Sequence, residues 1–301
     1  MGFSFSVVNG SSCPGRPMRC VPKDGVFPIH RQPGGKVIQG EGIMLEQGKV
    51  LKGRYEIKGI LGAGGSSHVY FAYDRETCRN RAIKEVRQIQ EGQAACMARQ
   101  EVELVQKLRY PYFPEIVEVL EQEGMCYIVM EYLEGETLEH LLARTGAQPW
   151  QQVVRWAKDM CLVLGYLHNC RPPIVYRDMK PANIILQRGG NLRLIDFGAA
   201  LECGGQEGEY ISLGTRGYAA PEQLAGGMAD ARTDIYCLGA TMYHLLTGKD
   251  PCQYPCGAYP VRKFNRKAPR RLTKIIKKCT CTQPEDRYGS CGELRKALEG
   301  I

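Results

Sequence analysis

The chain reads as an α+β protein in two lobes, a small β-rich lobe with one main helix followed by a larger, mostly helical lobe. Three features predict this. From Val50 onward apolar and polar residues alternate at strand spacing; residues 93–108 interrupt that alternation with helical spacing; and past the Glu134-Gly135 break the spacing is mainly helical. The expected boundaries are an N-terminal arm over 1–49, a first lobe with its hinge over 50–134, and a second lobe over 135–301.

Residues 1–49 cluster Gly and Pro (PGRP, VPKDG, RQPGG) and lack a periodic apolar pattern, which is the composition of a flexible or loosely docked arm. The strings RYEIKGIL, HVYFAYD and RNRAIKEV follow, divided by Gly and Asp turns, and read as an antiparallel sheet. Residues 93–108 place Met97, Val102, Val105 and Leu108 at helical spacing, and IVEVLEQEGMCYIVMEY supplies two more strands around a Glu-Gly turn. The first lobe is thus expected to hold five strands and one helix. In the second, Pro149 stands at a helix start, and Val153, Ala157, Met160, Leu164 and Leu167 mark the buried stripe. A β-rich lobe hinged to an α-rich one leaves a cleft, a common place for a ligand.

Composition narrows the class. With 44% hydrophobic and 24% charged residues the chain is an ordinary globular protein, and no apolar run approaches the roughly 18 to 20 residues that cross a bilayer. The start MGFSFSVVNG lacks the basic and apolar regions of an export signal, so a cytoplasmic location is expected. Its match to M-G-x-x-x-S through Gly2 and Ser6 is too short a pattern to carry lipidation. Fourteen cysteines without an export signal argue for free thiols. Cys252, Cys256, Cys279 and Cys281 could be gathered around zinc, although their spacing departs from C-x-x-C knuckles and small buried thiols are the commoner arrangement. The net charge of +8 is concentrated at 262–278, which holds nine Lys or Arg and no acidic residue. A helix carrying RRLTKIIKK would turn Leu272, Ile275 and Ile276 inward and its basic side to water, a face open to an acidic partner. The one aromatic residue within that patch, Phe264, does not make the interleaved stacking surface that nucleic acid would require.

The chemistry lies in three strings. LGAGGSSHVY, residues 61–70, is a glycine-rich turn between two strands, where missing side chains let backbone N–H groups approach phosphate oxygens. Ser67 stands at the third glycine of G-x-G-x-x-G, and the strand that follows disfavours a dinucleotide-binding fold. Lys84, in Ala82-Ile83-Lys84, could reach phosphates from the adjoining strand, with Glu101 holding its ammonium. YRDMKPANIIL, residues 176–186, followed by LRLIDFGAA, brings Asp178, Lys180, Asn183 and Asp196 into two short loops. Phosphoryl transfer needs a carboxylate for the hydroxyl proton, a cation near the transferred group and oxygen ligands for magnesium, and all of these are present.

These strings, in this order, resemble the eukaryotic-like serine/threonine protein kinases, most of all their bacterial members, over residues 55–298. The resemblance implies the two-lobed protein kinase fold, with ATP and Mg²⁺ (Mn²⁺ as an alternative) as cofactors and Ser/Thr-bearing proteins, the chain itself included, as substrates. Carried over position by position, Asp178 is the catalytic base, Lys180 assists it, Lys84 pairs with Glu101, and Asn183 with Asp196 binds the metal. Leu61, Gly62, Ala63, Gly64, Gly65, Ser66, Ser67 and His68 form the turn over the nucleotide phosphates. Val69, Ala82 and Ile185 sandwich adenine, Met130 stands at the gatekeeper position, and Glu131 and Leu133 offer hinge backbone groups. GTRGYAAPE, residues 214–222, resembles the end of an activation segment; Glu222 is expected to pair with Arg287, and Asp234 to cap the catalytic-loop amides. Tyr176 replaces the histidine usual before Arg-Asp, and is expected to pack on Phe197 and hydrogen-bond to backbone. Lys180 and Thr215 favour serine/threonine over tyrosine acceptors. Arg177 suggests control by phosphorylation of the segment, at Ser212 first and Tyr210 second. Three rival readings share parts of the pattern: a nucleotide-binding pseudokinase, a small-molecule phosphotransferase, and an adaptor working through the basic C-terminal helix.

Overall fold

A computed structural model describes residues 44–63, 67–87, 101–203 and 214–301, with Ser67 and Arg87 by backbone alone. The alternating strings form β1 (Val50–Leu51), β2 (Tyr55–Ala63), β3 (Ser67–Asp74), β4 (Arg79–Arg87), β5 (Ile116–Gln122) and β6 (Met125–Glu131). They make one antiparallel six-stranded sheet in the order β1-β2-β3-β4-β6-β5. The β5–β6 reversal falls on Glu123 and Gly124, both with positive φ (54° and 73°), as a tight two-residue hairpin demands. At the β3–β4 turn the Asp74 carboxylate accepts from the Thr77 hydroxyl at 2.6 Å and from the Glu76 amide at 3.1 Å, fixing the reversal from its own side chain.

Strand periodicity sorts this sheet into two faces, each with its own core. On one, Tyr55, Ile57, Tyr70, Ile83, Tyr127 and Val129 are buried together with Leu45. Leu45, assigned to the arm by composition, belongs to this core and donates its amide to the Tyr70 hydroxyl at 3.2 Å; a single apolar residue beside Gly-rich sequence leaves no periodic trace. The rest of the expected arm, residues 1–43, lies outside the described residues. On the other face, Val86, Cys126 and Ile128 join a larger core shared with Leu104, Val105 and Phe113 and with the second lobe. Leu104 and Val105 sit on α1, helical over 101–107; the first part of the helix expected over 93–108 lies outside the described residues.

The second lobe contains β7 (Glu136–Thr137), α2 (Leu138–Thr145), α3 (Trp150–His168), β8 (Ile174–Val175), β9 (Ile184–Leu186), β10 (Leu192–Leu194), β11 (Leu201–Glu202), α4 (Pro221–Leu224), α5 (Ala231–Thr247), α6 (Val261–Phe264), α7 (Arg270–Cys279) and α8 (Cys291–Glu299). The whole expected stripe of α3 is buried. Helix α5 is apolar on nearly all sides, the pattern of a helix at the centre of a lobe, and α3, α7 and α8 pack around it. It starts at a capping box on Asp230 and ends at Gly248 in the left-handed conformation. At Gly239 it approaches α7 so closely that a Cβ would lie 2.6 Å from Cβ of Cys279.

Two small sheets, β10-β9-β7 and β11-β8, hold the loops that face the first lobe. Gly135, at the break between the lobes, has φ +156° and presses on β9; a Cβ there would meet the Leu186 carbonyl and come within 2.9 Å of Ile185 Cγ2. Among the described residues no helix is long and apolar enough to cross a membrane. The cysteines among them are free thiols, and no cluster of three or more His, Cys, Asp or Glu side chains could hold a metal ion. Instead of converging, Cys252 Sγ turns to the Arg216 carbonyl and Cys281 Sγ to that of Lys277, while Cys279 is buried under α5.

Candidate active site

Lys84 lies on β4 opposite Val69 of β3 and Ile128 of β6, so its side chain leaves the face shared with the second lobe. Its ammonium bonds Glu101 of α1 and lies 2.7 Å from Asp196 Oδ1. Lys84 and Glu101 are buried, whereas the Asp196 carboxylate keeps 41% of its side chain exposed. Burial works to neutralise Lys84, but Asp196 and Glu101 outweigh it and hold the ammonium above its ordinary pKa. Burial also pushes Glu101 upward against the pull of Lys84. For Asp196 desolvation at the cleft floor is overcome by Lys84, and its carboxyl stays below the usual range. Asp196 has φ +67°, and its Oδ1 accepts from the Gly198 amide at 3.1 Å. A Cβ at Gly198 would lie 3.2–3.3 Å from Asp196, Glu101 and Lys84 at once, so the glycine leaves room for the triad.

The loop between β8 and β9 presents the second cluster. Asp178 Oδ1 accepts from the Thr215 hydroxyl at 2.7 Å, and Oδ2 lies 2.7 Å from Lys180 Nζ and 2.8 Å from Asn183 Nδ2. Lys180 also donates to Thr215 at 2.6 Å, closing a ring of three side chains. The Ile195 amide donates to the Asn183 carbonyl at 2.9 Å, which sets the Asn183 loop against the one bearing Asp196.

Asp234, fully buried on α5, anchors this loop: the amides of Tyr176 and Arg177 donate to its two oxygens at 2.8 and 2.7 Å. Arg177 holds φ +63°, a conformation that costs an ordinary residue free energy and that these bonds maintain. Its Nε donates to the Ala199 carbonyl at 2.6 Å. Tyr176 is fully buried, meets Phe197 edge-on at 5.5 Å, and donates its hydroxyl to the Ile195 carbonyl, as its substitution for histidine leads one to expect. Below the loop, Glu222 and Arg287 form a two-pronged pair at 2.7 and 2.8 Å with the Arg287 side chain fully buried.

Most nucleotide-side residues share one surface. Ala82 pairs with Met130 as Val69 does with Lys84, so all four lie on the cleft face of the sheet. Met130 lines, together with Lys84, Glu101, Phe113 and Phe197, a small cavity of about 30 Å³. Ile185 adjoins Gly135, just past Leu133, whose side chain is buried. The Glu131 carboxylate is engaged by Arg193 at 2.7 Å. Leu61, Gly62 and Ala63 are exposed at the end of β2. His68 departs from expectation: it pairs with Glu85, and its Nδ1 lies 3.8 Å from that carboxylate, on the face opposite Lys84. Strand alternation explains this, since the neighbour of an inward Val69 points the other way. Gly64, Gly65 and Ser66, with the side chain of Ser67, lie outside the described residues, as do Tyr210 and Ser212.

Some site-building residues carry no sequence signal. His168, at the end of α3, bonds Asp234 Oδ2 through Nε2 at 2.8 Å, and a lone histidine at a helix end gives no hint of that role. Gln223 donates to the Arg177 carbonyl at 2.9 Å and Thr241 to that of Met179 at 2.8 Å, supports visible only once α4 and α5 are placed.

The fold and the two clusters are those of a two-lobed protein with a cleft, and comparison with known proteins assigns it to a family. The protein kinase domain family matches residues 55–298, and the chain belongs to that family. It is 30% identical over 267 residues to the serine/threonine-protein kinase PrkC of Bacillus subtilis, covering 84% of this chain and 41% of PrkC. It is 31% identical over 268 residues to PknB of Mycobacterium leprae, covering 82% of this chain and 43% of PknB. The chain thus spans about two fifths of the length of these curated relatives. The crystal structure of the kinase domain of Mycobacterium tuberculosis PknI superposes with a TM-score of 0.69 at 26% identity, covering 86% of this chain and 99% of that one.

Proposed function

We propose that this chain transfers the γ-phosphate of ATP to serine or threonine hydroxyls of proteins, itself among them, from a cytoplasmic location. The observation that carries the reading is the Asp178 carboxylate held by Thr215, Lys180 and Asn183 in the cleft that also holds Lys84 and Asp196. In this reading Asp178 orients the acceptor hydroxyl and takes its proton, while Lys180 balances charge on the transferred group. Lys84, fixed by Glu101, steadies the α- and β-phosphates under the turn from Leu61 to Val69. Val69, Ala82 and Ile185 enclose adenine beside Met130, with hinge contacts from Glu131 and Leu133. The imidazole of His68 has no part in this reading.

The donors fit a hard divalent cation. Asn183 Nδ2 donates to Asp178, leaving Oδ1 free to ligate, and Lys84 engages one oxygen of a carboxylate that Asp196 keeps ionised. Bound Mg²⁺, or Mn²⁺, would neutralise charge on the phosphate oxygens. Thr215 supports Ser/Thr acceptors, because its hydroxyl bridges Asp178 and Lys180. Phosphorylation at Ser212 or Tyr210 is proposed as the regulatory step, and the basic segment at 262–278 as the recruiting face for an acidic partner; neither nucleic acid nor a membrane span enters this reading. Incubation with MgATP followed by peptide mass spectrometry should find phosphate on Ser or Thr in the wild type and none with Asp178→Asn. Equal labelling in both, or none in either with any polypeptide offered, overturns the proposal.

A further inference from the structure

Among the described residues the basic segment has no acidic partner, although Lys263 and Lys278 lie over the rings of Tyr259 and Tyr288, each 4.5 Å from the centroid. The chain carries 40 Lys or Arg against 32 Asp or Glu; nine of the 40 and none of the 32 fall at 262–278, so the rest of the chain has one more acidic than basic residue. Eight of the nine, Lys263, Arg266, Lys267, Arg270, Arg271, Lys274, Lys277 and Lys278, are exposed, while Arg262 folds back to the Ala268 carbonyl at 2.8 Å. Among the described residues none of the nine forms an ion pair, although Lys and Arg elsewhere on the surface repeatedly do.

Local helix physics favours Lys277 and Lys278 in the last turn of α7 but not the basic residues at its start. Helix α7 begins at Pro269 with no side-chain cap and no acid in its first turn, and Arg270 and Arg271 stand at its positive end. A solvated face would serve equally well with Glu among the Lys. A run of like charge that places two cations at the positive end of a helix and has no acidic counterpart among the described residues marks a surface used in recognition.

We propose that the outer face of α7, with the segment from Lys263 to Lys267, docks a carboxylate-rich stretch of polypeptide substrates, apart from the site of phosphate transfer. This rests on the kinase reading and gives its acidic partner a chemical class and a role. On α5, Asp234, Cys237 and Thr241 face the loop around Asp178, whereas Gly239 faces Cys279 of α7. A helix diameter of roughly 10 Å therefore separates docking from chemistry. Arg270, Lys274 and Lys278 form a row along one helix face, about 12 Å from end to end. Four or so extended residues span that length. Arginine forks suit carboxylates, and the acids would also oppose the charge at the α7 N-terminus. A membrane is disfavoured, since none of the exposed large apolar residues, among them Leu162, Leu224 and Met228, lies at 262–278 to insert into lipid. Nucleic acid is disfavoured because Tyr254, Tyr259 and Phe264 pack on one another and offer no open stacking row.

The test uses the full chain and a fluorescein-labelled dodecapeptide rich in Glu, read by anisotropy without nucleotide, so that binding is measured whether or not phosphate is transferred. The wild type should bind saturably. Arg270→Gln/Arg271→Gln/Lys274→Gln/Lys277→Gln should weaken binding at least about tenfold with an unchanged melting temperature, and Lys274→Glu alone should weaken it in the same direction. In a kinase assay, appending the Glu tract to a Ser-containing peptide should lower KM for the wild type and not for the variant, with kcat alike. The proposal fails if the peptide does not bind, if the substitutions leave binding unchanged, or if the tract leaves KM unchanged. It also fails if phosphatidylserine vesicles or a single-stranded oligonucleotide bind more tightly than the peptide through the same residues.

Discussion

Lys84 shows how one side chain ties the two lobes together. Because Glu101 and Asp196 share its ammonium, Lys84→Ala or Asp196→Ala should lower kcat by about 10³ or more, measured with MgATP and a Ser peptide. Folding should survive in both. With Lys84 gone, burial already favours the protonated form of Glu101, so no charge need be left stranded. Tyr176 poses a separable question, since its ring packs on Phe197 while its hydroxyl serves Ile195. Tyr176→Phe keeps the first and removes the second, and should cost about 1 kcal/mol in chemical denaturation. A loss near that of a cavity-forming substitution, about 3 kcal/mol, would mean that the hydroxyl supports more than one bond.

Among elements, the link between α4 and the segment after α7 rests on Glu222 and Arg287. Burial raises the Glu222 carboxyl, but Arg287 outweighs it and the folded pKa lies below the ordinary 4.5. A depressed carboxylate contributes stability that is complete above its unfolded pKa and fades as pH falls through the folded value. Glu222→Gln should therefore destabilise the protein by about 3 kcal/mol at neutral pH, because it strands a buried guanidinium. The difference from wild type should shrink below pH 4.5, as followed by urea denaturation across pH. A gap that stays constant down to acid would assign the cost to packing instead of charge. Helix α5 acts in the same way at longer range: its first turns grip the loop around Asp178 while its middle seats α7, so both depend on one buried axis.

Across the whole molecule, burial grades the described cysteines. Cys78 and Cys252 are exposed, whereas Cys126, Cys161, Cys237, Cys279 and Cys291 are buried, and burial pushes those five thiols upward, Cys161 to about 12. N-ethylmaleimide should modify Cys78 and Cys252 first and reach the buried five only on unfolding, as resolved by peptide mass spectrometry. Early modification of Cys161 would show that the α3–α8 contact opens in the native state. Because Cys252 bonds the Arg216 carbonyl beside Thr215, its modification should raise KM for a peptide more than it lowers kcat.

Much of this could be read along the chain. Alternation from Val50 and the stripe of α3 depend on neighbours a few positions apart, so the strands, the long helix and the Glu123-Gly124 reversal were legible, as were the two short loops that carry Asp178, Lys180, Asn183 and Asp196. Distances between remote segments were not. Lys84 meets Asp196 across 112 positions, a separation that no local pattern encodes, and the Glu222–Arg287 pair, 65 positions apart, was foreseen only through the family resemblance. The face of a residue was equally hidden where two cores compete: His68 lies among residues that approach phosphate in the string, yet turns toward Glu85 because both sides of the sheet are covered. Chemistry is written in side-chain type and order, but a side chain acts only where packing points it, and packing is settled by the whole chain at once.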